Sequence, residues 1–128
     1  MTQTELDLSD VPGELRPAVL ASLRAAGIGN GHLSVELVDE GRIRDLNREH
    51  RGVDKPTDVL SFPIDESGEV VGPRELGDVV ICPDQAADVT EAAVHGVLHL
   101  CGFDHEGDKG EMLALQGDLM RELGAGAG

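Results

Sequence analysis

A chain of 128 residues is the length of one domain, able to bury roughly two-thirds of the surface its unfolded form exposes, without staples. Its formal net charge of −15 excludes indiscriminate binding to nucleic acid, because most of the surface repels a phosphate backbone. Its longest apolar runs are a few residues, far short of the roughly 18 to 20 that a membrane span needs.

With no Trp or Tyr and only Phe62 and Phe103 as aromatics, the core must come from Val, Leu, Ile and Ala. The two cysteines, Cys82 and Cys101, suit small buried hydrophobes. The opening MTQTELDLSD is acidic where a secretory signal is basic, so a cytoplasmic location and no membrane association are expected. Charge is uneven along the chain. Arg42, Arg44, Arg48, Arg51 and Lys55 form a local basic stretch, the one place suited to contact RNA. No repeat or linker divides the chain. A single domain over residues 1–123 is expected, followed by a disordered Gly/Ala tail, 124–128.

Thr4 to Leu8 alternates weakly, as a short edge strand would. Ser9 or Asp10 then suits an N-cap, with Pro12 near the first turn of a helix ending at Gly27 or Gly29. Leu33, Val35 and Leu37 alternate with polar residues in the period of a half-buried strand. Ile43, Leu46 and His50 follow at helical spacing, at about 100° per residue, with Arg44, Arg48 and Arg51 clustered away from them. Pro56 stops that helix, and Val59 to Phe62 reads as a strand.

Gly68 to Glu75 reads as a loop, and Asp78 to Cys82 as a buried β-branched strand. Thr90 suits the cap of a helix reaching Cys101, which Gly102 ends. Lys109 to Leu123 completes the chain as a helix with Met112, Leu115, Leu119 and Leu123 on one side. The sum is an α+β fold, a small four-stranded sheet packed with four to five helices.

The segment H-G-V-L-H-L-C-G-F-D-H places His95 and His99 on one helix face, one turn apart. Imidazoles so placed reach a metal at about 2.0 to 2.1 Å, and a turn at Gly102 brings His105 to a third position. A lone histidine is most often a surface or packing group. Three of the chain's five histidines within eleven residues at ligand spacing point instead to one Zn2+ ion per chain, although imidazole also suits copper, nickel and iron. Val94, Val97, Leu98 and Cys101 point the other way, toward a core. Asp104 fits either of two roles, orienting an imidazole or capping the last helix. His32 and His50 read as ordinary surface or packing residues.

Three nitrogen ligands leave a fourth position for water, whose pKa falls toward about 7, and hydrolysis is the expected chemistry. Helical zinc peptidases carry a glutamate general base after the first histidine, where this chain has Gly96. A phosphodiester needs a cation for the charge that grows on phosphoryl oxygens. Arg51, at the helix end beside the Gly52–Pro56 turn, is the candidate catalytic residue, against the plain alternative of a solvated helix face.

Three segments in this order, L-N-R-E-H-R-G-V-D-K-P-T-D-V-L-S-F-P, L-G-D-V-V-I and the histidine segment, resemble the YbeY family of bacterial zinc-dependent endoribonucleases. The resemblance spans Leu33 to Leu123. It implies that His95, His99 and His105 bind the metal and that Arg51 is the family's functional arginine. It further implies single-stranded RNA as substrate, 16S rRNA 3′-end maturation and ribosome quality control as roles, and the small ribosomal subunit with its associated proteins as partners.

Two departures stand out. His50 occupies a position where members carry an aromatic residue, and the segment before the histidine helix, Pro83 to Val94, is short. Two other readings compete: a zinc peptidase, and a non-catalytic ribosome-biogenesis factor with structural zinc.

Overall fold

The computed structural model describes residues 6–64, 75–103 and 110–127. Among them, strands β1 (Leu6–Asp7), β2 (Gly31–Leu37), β3 (Val59–Pro63) and β4 (Glu75–Ile81) form one mixed sheet. Its order is β1-β2-β4-β3, parallel except where β3 runs antiparallel to β4. The helices are α1 (Arg16–Ala25), α2 (Glu40–Arg51), α3 (Val89–Leu100) and α4 (Glu111–Ala127). This is the expected α+β architecture. No described helix is long and apolar enough to cross a membrane.

The sheet is covered on both faces, which explains the apolar run Val79, Val80 and Ile81 at the end of β4. Val79 and Ile81 join Leu33, Val35, Val19, Leu23, Ala93 and Val97 in the core under α1 and α3. Val80 and Cys82 point the opposite way, to Leu60 and to Ile43 of α2. A third cluster binds α4 to α3 and α1 through Val94, Leu98, Met112, Leu119 and Ala18. Phe103 packs against this last group. At about 25 cal/mol per Å² of apolar surface removed from water, these aliphatic clusters supply the main drive to fold.

Several boundaries differ from the sequence reading for local reasons. The first helix starts at Arg16, after a 3₁₀ turn at Gly13–Leu15, with Pro17 rather than Pro12 in its first turn. Ser9 and Asp10 do not cap it: Ser9 donates to Asp7 (backbone N 3.0 Å, Oγ 2.6 Å), and Asp10 binds His32. β1 covers only Leu6–Asp7 of the expected strand within the described residues.

Glu75 belongs to β4, not to the loop before it. That strand begins three residues early because Gly77, at φ +133°, carries the backbone past β3. A Cβ there would lie 2.4 Å from the Phe62 carbonyl oxygen, a contact no other residue tolerates. Asp88 caps α3 in place of Thr90, accepting from the backbone N of Thr90 (2.9 Å) and Glu91 (3.2 Å). α4 is helical as far as Ala127, into the stretch expected as a tail.

His32 is more than a packing residue. Its Nε2 lies 2.7 Å from Asp10 Oδ2 and its Nδ1 2.8 Å from Glu75 Oε1, so the imidazole ties the segment after β1 to β4. Hydrogen bonds to Asp10 and then to Glu75 raise its pKa above the ordinary 6.5. Asp7, its register partner on β1, adds a further nearby carboxylate. A raised histidine pKa stabilises the fold fully below the unfolded value and ceases to do so as pH climbs through the folded one. The melting-temperature gap between the wild type and His32→Gln should therefore be widest below about pH 6.5 and close at higher pH. A gap that ignores pH would show that the ion pairs contribute nothing.

Candidate functional site

The site is built where α2 and α3 approach the outer strand β3. α2 begins at Asp39, whose Oδ1 accepts from the Arg42 backbone N at 2.8 Å. It ends at Gly52, which adopts the left-handed conformation (φ +71°) that glycine reaches without steric cost. Its buried face carries Ile43 and Asn47. Asn47 is 3% exposed, and its Nδ2 donates to the Lys55 carbonyl at 2.9 Å, folding the following turn back over the helix. Its Oδ1 has no hydrogen-bond partner among the described residues.

Of the basic stretch, Arg44 and Arg48 are engaged with carboxylates. Arg44 Nε lies 2.7 Å from Asp54 Oδ1, and Arg48 pairs with Asp45 at 3.1 Å. The Arg44 guanidinium holds Asp54 below the usual carboxylate range. These groups are half exposed, so they orient the turn more than they stabilise the fold. Arg51 forms no ion pair with a described residue. It lines a cleft of about 850 Å³.

His95 and His99 line the same cleft from α3. Their ring centroids are 4.7 Å apart and the rings are close to perpendicular, at 73°. The other faces of α3 are buried through Ala92, Ala93, Val94, Val97 and Leu98, which fixes the rotation of the helix and leaves the histidines on the cleft side. His95 Nδ1–H donates to Gln116 Oε1 at 2.8 Å, so its lone pair sits on Nε2. A fixed tautomer and ring orientation of this kind accompany metal-ligating histidines. The donor chemistry therefore suits a borderline-soft divalent ion.

Among the described residues no set of three His, Cys, Asp or Glu groups gathers as a metal site. The third expected ligand, His105, and its neighbour Asp104 lie outside them. Cys82 is fully buried on the α2 side of the sheet, and Cys101 is half-buried and packs against the main core.

Gly96 has a structural reason to be glycine. It is buried against the sheet, where an added Cβ would meet Val79 Cγ1 at 2.6 Å and Val59 Cγ2 at 3.0 Å. The Ser61 hydroxyl donates to its carbonyl at 2.9 Å, so the helix backbone rests directly on side chains of β3 and β4. Gly96→Ala should destabilise: overpacking against stiff, buried Val79 costs about 1–3 kcal/mol and outweighs the ~1 kcal/mol of helix propensity gained. Thermal melts should show a drop of a few degrees, and an unchanged or higher Tm would refute the close contact.

The structure thus brings Arg51, His95 and His99 to one cleft. It adds residues that sequence reasoning missed. Gln116 sits one position beyond Leu115 on α4, and its signal was a polar group beside an apolar stripe. Asn47, four residues after Ile43, falls on the buried side of α2. His50, expected to be an ordinary residue, is exposed at the cleft with its ring 4.8 Å from that of Phe62.

The fold is similar to that of the solution structure of TM1509 from Thermotoga maritima. That chain is 31% identical, with a TM-score of 0.55, and the match covers 85% of this chain and 78% of the other. A family model described as endoribonuclease YbeY matches residues 7–124. The chain is 38% identical over 124 residues to the endoribonuclease YbeY of Persephonella marina, covering 85% of this chain and 81% of that protein. To that of Azorhizobium caulinodans it is 42% identical over 132 residues, covering 92% and 83%. The chain belongs to the endoribonuclease YbeY family.

Proposed function

We propose that this protein is a zinc-dependent endoribonuclease that cuts single-stranded RNA in the cytoplasm, acting in 16S rRNA 3′-end maturation and ribosome quality control. The observation that carries the reading is the convergence of His95, His99 and Arg51 on one cleft. His95 and His99, with His105, are the residues that would hold one zinc ion. When bound, zinc supplies Lewis-acid polarisation and lowers the pKa of water.

The chain's own groups do the rest. Gln116 holds the His95 ring, and the packing of α3 keeps both imidazoles turned to the cleft. The Arg51 guanidinium offers planar, paired donors to the phosphoryl oxygens as their charge grows. Asn47 and the Arg44–Asp54 pair hold the turn that ends the arginine's helix. A cleft walled by helices admits an unpaired strand whose bases can splay, which a stacked duplex cannot offer. With a net charge of −15, capture of RNA by charge alone is weak, and docking on the small ribosomal subunit and its associated proteins supplies the missing proximity.

The test compares zinc-loaded, chelated and reloaded protein on single-stranded and duplex RNA. Cleavage of the single strand alone, lost on chelation and restored by zinc, is expected. RNA left intact by the loaded protein would refute the reading. The product ends identify the nucleophile, since attack by the RNA's own 2′-hydroxyl leaves a cyclic phosphate and attack by water does not.

A further inference from the structure

We propose that His50 and Phe62 form a stacking platform for one nucleobase of the bound strand, a subsite that favours a purine beside the scissile phosphate. This rests on the ribonuclease reading and says where an unpaired base goes. The two rings lie 4.8 Å apart and are tilted by 60°, on the wall of the cleft that His95 and His99 also line. Phe62 is half-buried and packs on the side of the sheet where Leu60, Ile43 and Val80 form a core. It is therefore immobilised before any ligand arrives. His50 lies in the last turn of α2, immediately before Arg51 and the left-handed Gly52 that ends the helix.

The distribution of charge gives such a platform a role. The protein is strongly acidic, and Arg44 and Arg48 of its basic stretch are already engaged by Asp54 and Asp45. Phosphate contacts, which dominate affinity in basic nucleic-acid binders, are few here. A contact that does not depend on charge adds affinity at the cleft itself. Stacking on a ring face is such a contact, and it tolerates any base because every base has a π-face. Phe103, the only other aromatic, packs against the α3–α4 core and is taken. A base over His50 would place the adjoining phosphate within the reach of Arg51, the next residue. Purines cover more of a ring pair than pyrimidines do, hence the preference.

The chain has no Trp or Tyr, so 2-aminopurine fluorescence can be read without protein background. Short single-stranded RNAs carrying 2-aminopurine at successive positions are mixed with the zinc-loaded protein, and quenching on binding is recorded beside KM and kcat for cleavage. Quenching should be strongest at one position next to the cut.

His50→Ala should abolish that quenching and raise KM about tenfold, equivalent to about 1.4 kcal/mol. The loss should fall on KM more than on kcat, and His50→Phe should restore both signals. Because His50 is exposed, its variants test contact rather than folding. Phe62→Leu, which keeps an apolar side chain over the core, is a second route to the same loss. Unchanged quenching and KM in both variants, with RNA still cut, would overturn the platform and leave the ribonuclease reading standing. RNA neither bound nor cut by the wild type would overturn both.

Discussion

His99→Ala is expected to abolish RNA cleavage, with activity falling on the order of a thousandfold, the equivalent of about 4 kcal/mol of transition-state stabilisation. His95 and His99 project from one face of α3 with ring centroids 4.7 Å apart, and that face is set by five buried side chains on the rest of the helix. Removing one imidazole leaves a donor set too small to hold a catalytic ion against water. Zinc content, measured on purified protein, should fall from one ion per chain together with activity. The fold should survive, because His99 is only half-buried and the clusters under α3 do not include it. Retention of both metal and cleavage would eliminate this site. Loss of the folded state, seen by circular dichroism, would instead favour the structural-zinc alternative.

Arg51→Ala is expected to lower kcat by about 10²–10³, the usual consequence of removing a donor aimed at charge that develops in the transition state. Metal content and Tm should not change. Arg51 is exposed at a helix end and forms no ion pair with a described residue, so no ion pair among the described residues is lost with it. Arg51→Lys should recover only part of the rate, since an ammonium keeps the charge but loses the paired, planar donors. Full activity in Arg51→Ala, measured on the same single-stranded RNA, would reduce this residue to a solvated helix face.

Residues close in sequence proved the most legible. The i, i+4 spacing of His95 and His99 places them on one helix face whatever the surroundings, because helix geometry alone decides it. The helices and strands, and the α+β class, could likewise be read from periodicity. Caps were harder. Asp88 and Thr90 both suit an N-cap, and the choice depends on where the chain turns out of Cys82 rather than on either side chain. For α1 the sequence reading placed Pro12 near the first turn, where the structure has Pro17 after a 3₁₀ turn. Gly96 was legible as the absence of a general base, but its cause, a helix pressed onto Val79 of β4 and Val59 of β3, was not.

Neighbours along the chain therefore account for the local features: the paired imidazoles, the apolar runs of the sheet, and the turn at Gly52 that stops α2 next to Arg51. Tertiary structure decided which groups meet. It brought Arg51 to the cleft of His95 and His99 across more than forty positions of chain, set Gln116 against His95, and laid His50 against Phe62. Such meetings follow from how helices pack on the two faces of one sheet, and packing is a property of the assembled core that no single segment encodes.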